Sequence, residues 1–198
     1  MPIIVNKEEK RRNIALSSKE LLLEHGIKNI TISQIAKSAG VGKGTIYEYF
    51  SNKEDIVFEI ISAFITEHEE NLAEITSQDI STKEKLFHFL YSLYQDEYHQ
   101  RQLAIYREFL AISLTTDTKE MVEFSFACRI RMISILEQLL LEAVQKNELK
   151  TEATDLVEMI HTYALGLVIE TKTKNLDAKE LIDRFLDGIF NLLEVKDT

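Results

Sequence analysis

Lys43, Gly44, Thr45, Tyr47 and Glu48 fall within one short stretch, and their side chains offer the chemistry of nucleic-acid contact rather than of bond making. An ammonium and a phenol hydroxyl suit phosphate oxygens, a threonine hydroxyl bonds a base edge or a phosphate, and a glycine lets backbone approach closely. Glu48 would be repelled beside phosphates unless it accepts from a cytosine amine. Thr31, Ser33, Tyr49 and Lys53 complete the candidate set. Lys53 stands where the first turn of a following helix is expected, whose positive end favours a phosphate.

The spacing of the neighbouring residues says what positions this set. Thr31 with Gln34 makes a capping box, so a helix is predicted to start at Ile32. Ile32, Ile35, Ala36 and Ala39 fall on one side of it, Gly40 stands where it must stop, and Val41 plugs the corner. A second helix over about Lys43 to Tyr49, phased from Ile46, turns Phe50 and much of Tyr49 inward and Gly44, Thr45, Tyr47 and Glu48 outward. Ser51 with Glu54, or Asn52 with Asp55, caps the next helix. Two short helices around a glycine turn with a polar outer face form a helix-turn-helix, which places a helix in a DNA major groove.

The run Thr31-x-x-x-Ile-Ala-x-x-Ala-Gly-Val-x-Lys-Gly-Thr-Ile-Tyr-x-Tyr-Phe-x-x-Lys-Glu-x-Ile56 resembles the DNA-binding signature of the tetracycline-repressor (TetR/AcrR) family of bacterial transcription regulators. The resemblance implies an all-α fold. A three-helix DNA-binding domain is joined by a long helix to a helical ligand-binding and dimerisation domain. It also implies a homodimer on a palindromic double-stranded operator and repression relieved by a small-molecule effector, with no cofactor and no enzymatic activity. Glu48 departs from the pattern at a variable position, which bears on the operator sequence and not on the fold.

Composition agrees. A chain of 198 residues buries roughly 70% of its unfolded surface, enough for one or two domains. The only proline is Pro2, and four of six glycines lie within the first 44 residues, so tight turns belong to the N-terminal part and long helices to the rest. The longest apolar runs are far short of the roughly 20 residues that span a membrane, and Met1 to Val5 is too short for a signal-peptide core, so a cytoplasmic protein is expected. The lone Cys128 excludes an intrachain disulfide. Residues 1 to 53 hold nine Lys or Arg against five acids, and the remainder 14 against 28. Phosphate attraction acts within a Debye length of roughly 8 Å, so a basic head binds DNA while the acidic body stays away. Lys7, Lys10, Arg11 and Arg12 are placed to reach flanking phosphates. Nucleophile-elbow, phosphate-loop, zincin and paired-cysteine motifs are missing from the sequence, which speaks against an enzyme. His68, with Glu69 diverging from it by about 100°, and Glu97 with His99 do not make a metal site. A helical adaptor that binds protein through its acidic surface is the competing class, separable by retention on DNA-cellulose.

The domains are expected at 1–52 and 53–198. A first helix from about Asn6 to His25, with Ile14, Ala15, Ser18, Leu22 and His25 inward, packs across the helix-turn-helix; a long helix from about Asn52 to Ile75 links head to body. Breakers at 76–82, 98–101, 115–118, 146–152 and 175–177 then divide the body, giving about nine helices in all. Two apolar stripes near the end are candidate subunit contacts: Leu156, Met159, Ile160 and Leu167, then Leu181, Phe185, Leu186, Ile189 and Phe190. Two recognition helices on a two-fold axis read a palindrome, which one short helix cannot. Phe87, Tyr91, Tyr94, Tyr106, Phe109, Phe124, Cys128, Met132, His161 and Tyr163 are candidate lining of an effector pocket. Buried tyrosine hydroxyls want partners, so an apolar or aromatic ligand with a few polar handles is expected there. Arg129 and Arg131, two apart on a helix, cannot both face it.

Overall fold

The computed structural model describes residues 7–116 and 118–195. Ten α-helices stand among these residues: α1 Lys7–Leu16, α2 Lys19–Asn29, α3 Ile32–Ser38, α4 Lys43–Tyr49, α5 Lys53–Thr76, α6 Thr82–Tyr91, α7 Glu97–Ser113, α8 Lys119–Gln145, α9 Val157–Thr173 and α10 Ala178–Leu193. Short 3-10 turns occupy Ser92–Tyr94 and Thr151–Leu156. The only β pairing among the described residues is a single bridge between Leu149 and Glu194. By packing, the chain divides into one unit of Met1–Glu67 with Ala104–Asp117 and a second of His68–Leu103 with Thr118–Thr198.

In the first unit α1, α3 and α4 pack mutually, and α2 packs on α3, around Ile14, Leu22, Ile30, Ile35, Ile46, Ile56 and Ile60. The expected single first helix is two. Ser17 and Ser18 interrupt it, with the Ser17 hydroxyl donating to the Ile14 carbonyl and the Ser18 N–H reaching only to Ala15, a local competition that serine offers a helix backbone. Ser18 faces inward as expected, whereas His25 is exposed. Gly26 takes φ +77° and ψ 169°, a left-handed conformation that glycine tolerates and other residues resist. It stops the main run of α2, and residues 27–29 form one further turn beyond it.

The second unit is built on α6, α8, α9 and α10, with α6 lying between α8 and α10. Leu86, Leu136, Leu140, Ile160, Ile182 and Leu186 are among its most deeply buried apolar residues. The chain break expected at 98–101 falls earlier: Asp96 accepts from the His99 N–H at 3.0 Å, so α7 begins at Glu97 and runs through the expected break. Lys85 is buried and holds Glu142 at 2.8 Å, and Glu148 accepts from the Thr82 N–H at 3.1 Å. These two pairs tie the start of α6 to the end of α8.

His68, at the start of the second unit's part of α5, packs 6.5 Å from the Phe89 ring. Burial, reinforced by the nearby charge of His99 and only partly offset by Glu69, brings its pKa down to about 4 from 6.5. A histidine held neutral in this way contributes stability that is complete above its unfolded pKa and is lost as pH falls toward the folded one. Unfolding free energy should therefore drop between pH 6.5 and about 4 by roughly 2–3 kcal/mol from this residue. His68→Gln should flatten that limb in denaturant titrations taken across the range.

Candidate nucleic-acid interface

The helix-turn-helix is held by the local devices its sequence carries. Thr31 Oγ1 accepts from the Gln34 N–H at 3.3 Å and Gln34 Oε1 accepts from the Thr31 N–H at 2.9 Å, so both halves of the capping box close. α3 ends with Gly40 at φ +63° and the Val41 N–H donating to the Ala36 carbonyl at 3.0 Å, a six-residue return that only a left-handed residue permits. Ile46 and Phe50 are buried, which fixes the rotation of α4. Asn52 caps α5 by accepting from the Asp55 N–H at 2.8 Å, which settles the choice between the two expected caps.

With that rotation fixed, Lys43, Gly44, Tyr47 and Glu48 are exposed, and Thr45 and Tyr49 are half-buried. Ser33 is exposed on α3, and the Thr31 side chain is engaged in its cap. Nothing among the described residues lies within 4 Å of where a Gly44 Cβ would stand. Internal packing thus makes no demand for glycine there. The surface these residues form is small, polar and projecting, with the shape and donors that a major groove accommodates.

Two cations read as phosphate ligands are engaged inside the protein. Lys53 donates to the carbonyls of Ile27 at 3.0 Å and Lys28 at 3.4 Å. Arg11 donates to Asp55 at 2.5 Å, to Glu59 at 3.1 Å and to the Tyr49 carbonyl at 2.5 Å, with its guanidinium 4.4 Å above the Phe50 ring. Arg11 therefore clasps α1 to both ends of the α4–α5 corner. Lys7 and Arg12 are exposed on α1. A further contact had no signal in the sequence: Glu108 accepts from the backbone N–H groups of Ile27 at 2.7 Å and Lys28 at 2.8 Å.

The aromatic candidates divide between the units. Tyr106 and Phe109 belong to the first, where their rings stack at 6.4 Å and Phe58 meets Phe109 edge-on. In the second, Phe87, Tyr91 and Tyr94 form a ladder with centroids 5.1 and 6.2 Å apart, and these three pack with Met132 and Tyr163 against its core. Tyr163 stacks on Phe185 at 3.7 Å and donates its hydroxyl to the Leu181 carbonyl. Phe124 and Cys128 are half-buried on α8. Burial, against the pull of Arg131, pushes the Cys128 thiol up to about 11, so it stays protonated and unreactive. His161 is buried, and burial with Arg129 nearby lowers its pKa. Arg129 pairs with Glu158 and Arg131 with Glu69. Among the described residues of this unit, His88 Nδ1, Gln102 Nε2 and Ser125 Oγ are interior polar atoms with no protein partner. They are the polar groups that sequence reasoning missed, because a lone polar residue on a helix gives no sign of where it points.

Of the residues expected at a subunit contact, Ile160, Leu167, Leu186 and Ile189 are already buried within the unit. Their surface belongs to the protomer's own core. Leu156, Leu181, Phe185 and Phe190 are half-buried, and Met159 is 64% exposed. Ile169 and Leu192, on the same two helices, are exposed as well. Among the described residues no helix is long and apolar enough to cross a membrane, and no cluster of His, Cys, Asp and Glu fit to hold a metal ion occurs.

Residues 16–60 match the family model described as bacterial regulatory proteins, tetR family. The chain is 29% identical over 167 residues to the fatty acid metabolism regulator protein of Bacillus subtilis, covering 84% of each chain. The crystal structure of the regulator FadR from Bacillus subtilis in complex with stearoyl-CoA superposes with a TM-score of 0.65 at 23% identity, over 90% of this chain and 96% of that one. A TetR-family transcriptional regulator from Cytophaga hutchinsonii superposes with a TM-score of 0.75 at 18% identity, over 98% and 99%.

Proposed function

The chain belongs to the TetR family of DNA-binding transcriptional regulators, and from that premise we propose that it is a dimeric repressor that leaves a palindromic operator when a small-molecule effector binds its second unit. It acts by binding and not as an enzyme. The reading rests chiefly on the outward face of α4, where Lys43, Gly44, Thr45, Tyr47 and Glu48 project from a helix whose rotation Ile46 and Phe50 fix. Lys43 and Tyr47 take phosphates, Thr45 and Glu48 take base edges, and Gly44 lets the helix backbone come close. Two such helices on a two-fold axis, roughly 34 Å apart, read adjacent grooves.

For the dimer we propose the exposed and half-buried apolar residues of α9 and α10, chiefly Met159, Leu181, Phe185 and Phe190. For the effector we propose an apolar ligand with a few polar handles, held among the Phe87–Tyr91–Tyr94 ladder and the interior polar atoms of His88, Gln102 and Ser125. A long-chain acyl-CoA is the first ligand to test, because the related FadR was crystallised with stearoyl-CoA. The protein itself is proposed to be cytoplasmic.

Fluorescence anisotropy on the intergenic duplex beside the gene tests both halves. If six to eight phosphates are neutralised per dimer, log affinity falls with log salt at a slope of about −5 to −7; a slope near zero defeats the operator claim. Saturating stearoyl-CoA should weaken operator binding by about 5- to 150-fold. An unchanged affinity with stearoyl-CoA demonstrably bound removes the proposed mode of release.

A further inference from the structure

We propose that Glu108 is a positioning residue for operator binding, which sets the orientation of the helix-turn-helix by gripping the backbone turn that leads into it. The inference rests on the chain being a DNA-binding regulator and goes beyond it by assigning a role to a residue remote from the reading face.

The turn at residues 27–29 lies between Gly26, where α2 stops, and Ile30, which is buried immediately before the Thr31 cap of α3. Its position therefore fixes where α3 starts and, through the packing of α3 on α4, how α4 is presented. Within the turn the Ile30 N–H closes onto the Gly26 carbonyl at 3.3 Å and the Asn29 amide onto the His25 carbonyl at 2.9 Å, while the N–H groups and carbonyls of Ile27 and Lys28 are met by residues distant in sequence. The free N–H groups at the start of a helical turn need acceptors, and its carbonyls need donors. Both come from elsewhere in the first unit. Glu108 receives the Ile27 and Lys28 N–H groups, one on each carboxylate oxygen, at 2.7 and 2.8 Å. Lys53 donates to the carbonyls of the same two residues at 3.0 and 3.4 Å. A carboxylate accepting two N–H groups makes a directional, charge-assisted grip, and this one comes from a residue 81 positions along the chain from Ile27.

Gly26 is part of the same device. A Cβ at this position would stand 2.7 Å from Glu108 Oε2, closer than a carbon and an oxygen can pack. The glycine thus serves two needs, the left-handed turn and the space into which the carboxylate reaches. Glu108 holds the backbone N–H groups of Ile27 and Lys28, which precede α3 and lie outside the Lys43–Tyr49 face.

The test compares the full-length wild type with Glu108→Ala, Glu108→Gln and Gly26→Ala on a duplex selected by the wild type from a random library. Glu108→Ala should weaken binding about tenfold, since it removes two hydrogen bonds to a charged acceptor in each protomer. Glu108→Gln keeps one acceptor and should lose less. The slope of log affinity against log salt should stay unchanged, because no phosphate contact is lost; each lost contact would lower it by about 0.9. Amide exchange at Ile27 and Lys28 should accelerate in both Glu108 variants. Gly26→Ala expels the carboxylate, so adding Glu108→Ala to it should cost little more. Unchanged operator affinity in Glu108→Ala, with protection at Ile27 and Lys28 lost, overturns the role, as does a reduced salt slope. A wild type that selects no duplex at all would instead bring down the regulator reading itself.

Discussion

Tyr47→Ala is expected to weaken operator binding by about 10- to 100-fold while leaving the melting temperature within a degree or two. The side chain is 60% exposed, so little packing is lost with it. Its neighbours Ile46 and Phe50, which fix the rotation of α4, stay in place. A net hydrogen bond contributes roughly 1 kcal/mol, and a two-fold dimer loses it twice, about 2 kcal/mol or roughly thirtyfold, which lies within that range. Lys43→Ala, also exposed, should cut affinity for operator and for unrelated duplex alike and lower the salt slope by about 2 per dimer. Anisotropy titrations at several salt concentrations read both. Affinity within twofold of wild type for Tyr47→Ala would show that α4 does not face the DNA in the way proposed.

Arg11→Ala is expected to destabilise the first unit by about 2–4 kcal/mol, because one guanidinium serves Asp55, Glu59 and the Tyr49 carbonyl and covers the Phe50 ring. Removing it leaves two partly buried carboxylates facing each other without a cation, the costly way to break such a cluster. The effect should depend on pH. Burial pushes the Asp55 carboxyl up, but the Arg11 hydrogen bond, the Ser51 N–H and the Arg11 charge outweigh it and hold the group below its usual value of 3.8. A depressed carboxyl contributes stability that is present above its unfolded pKa and is lost as pH falls through the folded one. The difference between wild type and Arg11→Ala should therefore be greatest above pH about 4 and shrink below it. Urea titrations between pH 3 and 7 measure this, and a difference independent of pH would show that the lost contact to the Phe50 ring, rather than the ion cluster, carries the loss.

What the sequence discloses and what it withholds follow the range of each interaction. The Thr31–Gln34 capping box and the Gly40 turn are complete within a few residues, and the structure forms both as the spacing dictates. The inward turn of Ile46 and Phe50 follows from helical period alone. Arg11 and Lys53 look, as a sequence, like cations free to meet phosphate. Their partners are 44 residues away for Arg11 with Asp55 and 26 for Lys53 with Ile27, a separation at which no local pattern signals a pairing. The same holds for the apolar stripes of α9 and α10: periodicity says that Ile160, Leu167, Leu186 and Ile189 are buried, and only packing says against what. The break between α1 and α2 was hidden for the opposite reason. Ser17 and Ser18 are tolerated in many helices, and here the Ser17 hydroxyl and the Ser18 N–H bond back three residues, where a continuing α-helix has its N–H bond back four.

The first unit is discontinuous, built from Met1–Glu67 and completed by Ala104–Asp117, and this has a consequence in time. A ribosome adding 5–20 residues per second needs roughly 2–7 s to make the 36 residues, His68–Leu103, between the two segments. During that interval the nascent helix-turn-helix has its capping box and its glycine turn but lacks the Glu108 acceptor for the backbone of Ile27 and Lys28. A fragment cut after residue 67 is frozen at that stage of synthesis. The unit that carries the helix-turn-helix is thus finished late, by a segment made after most of it.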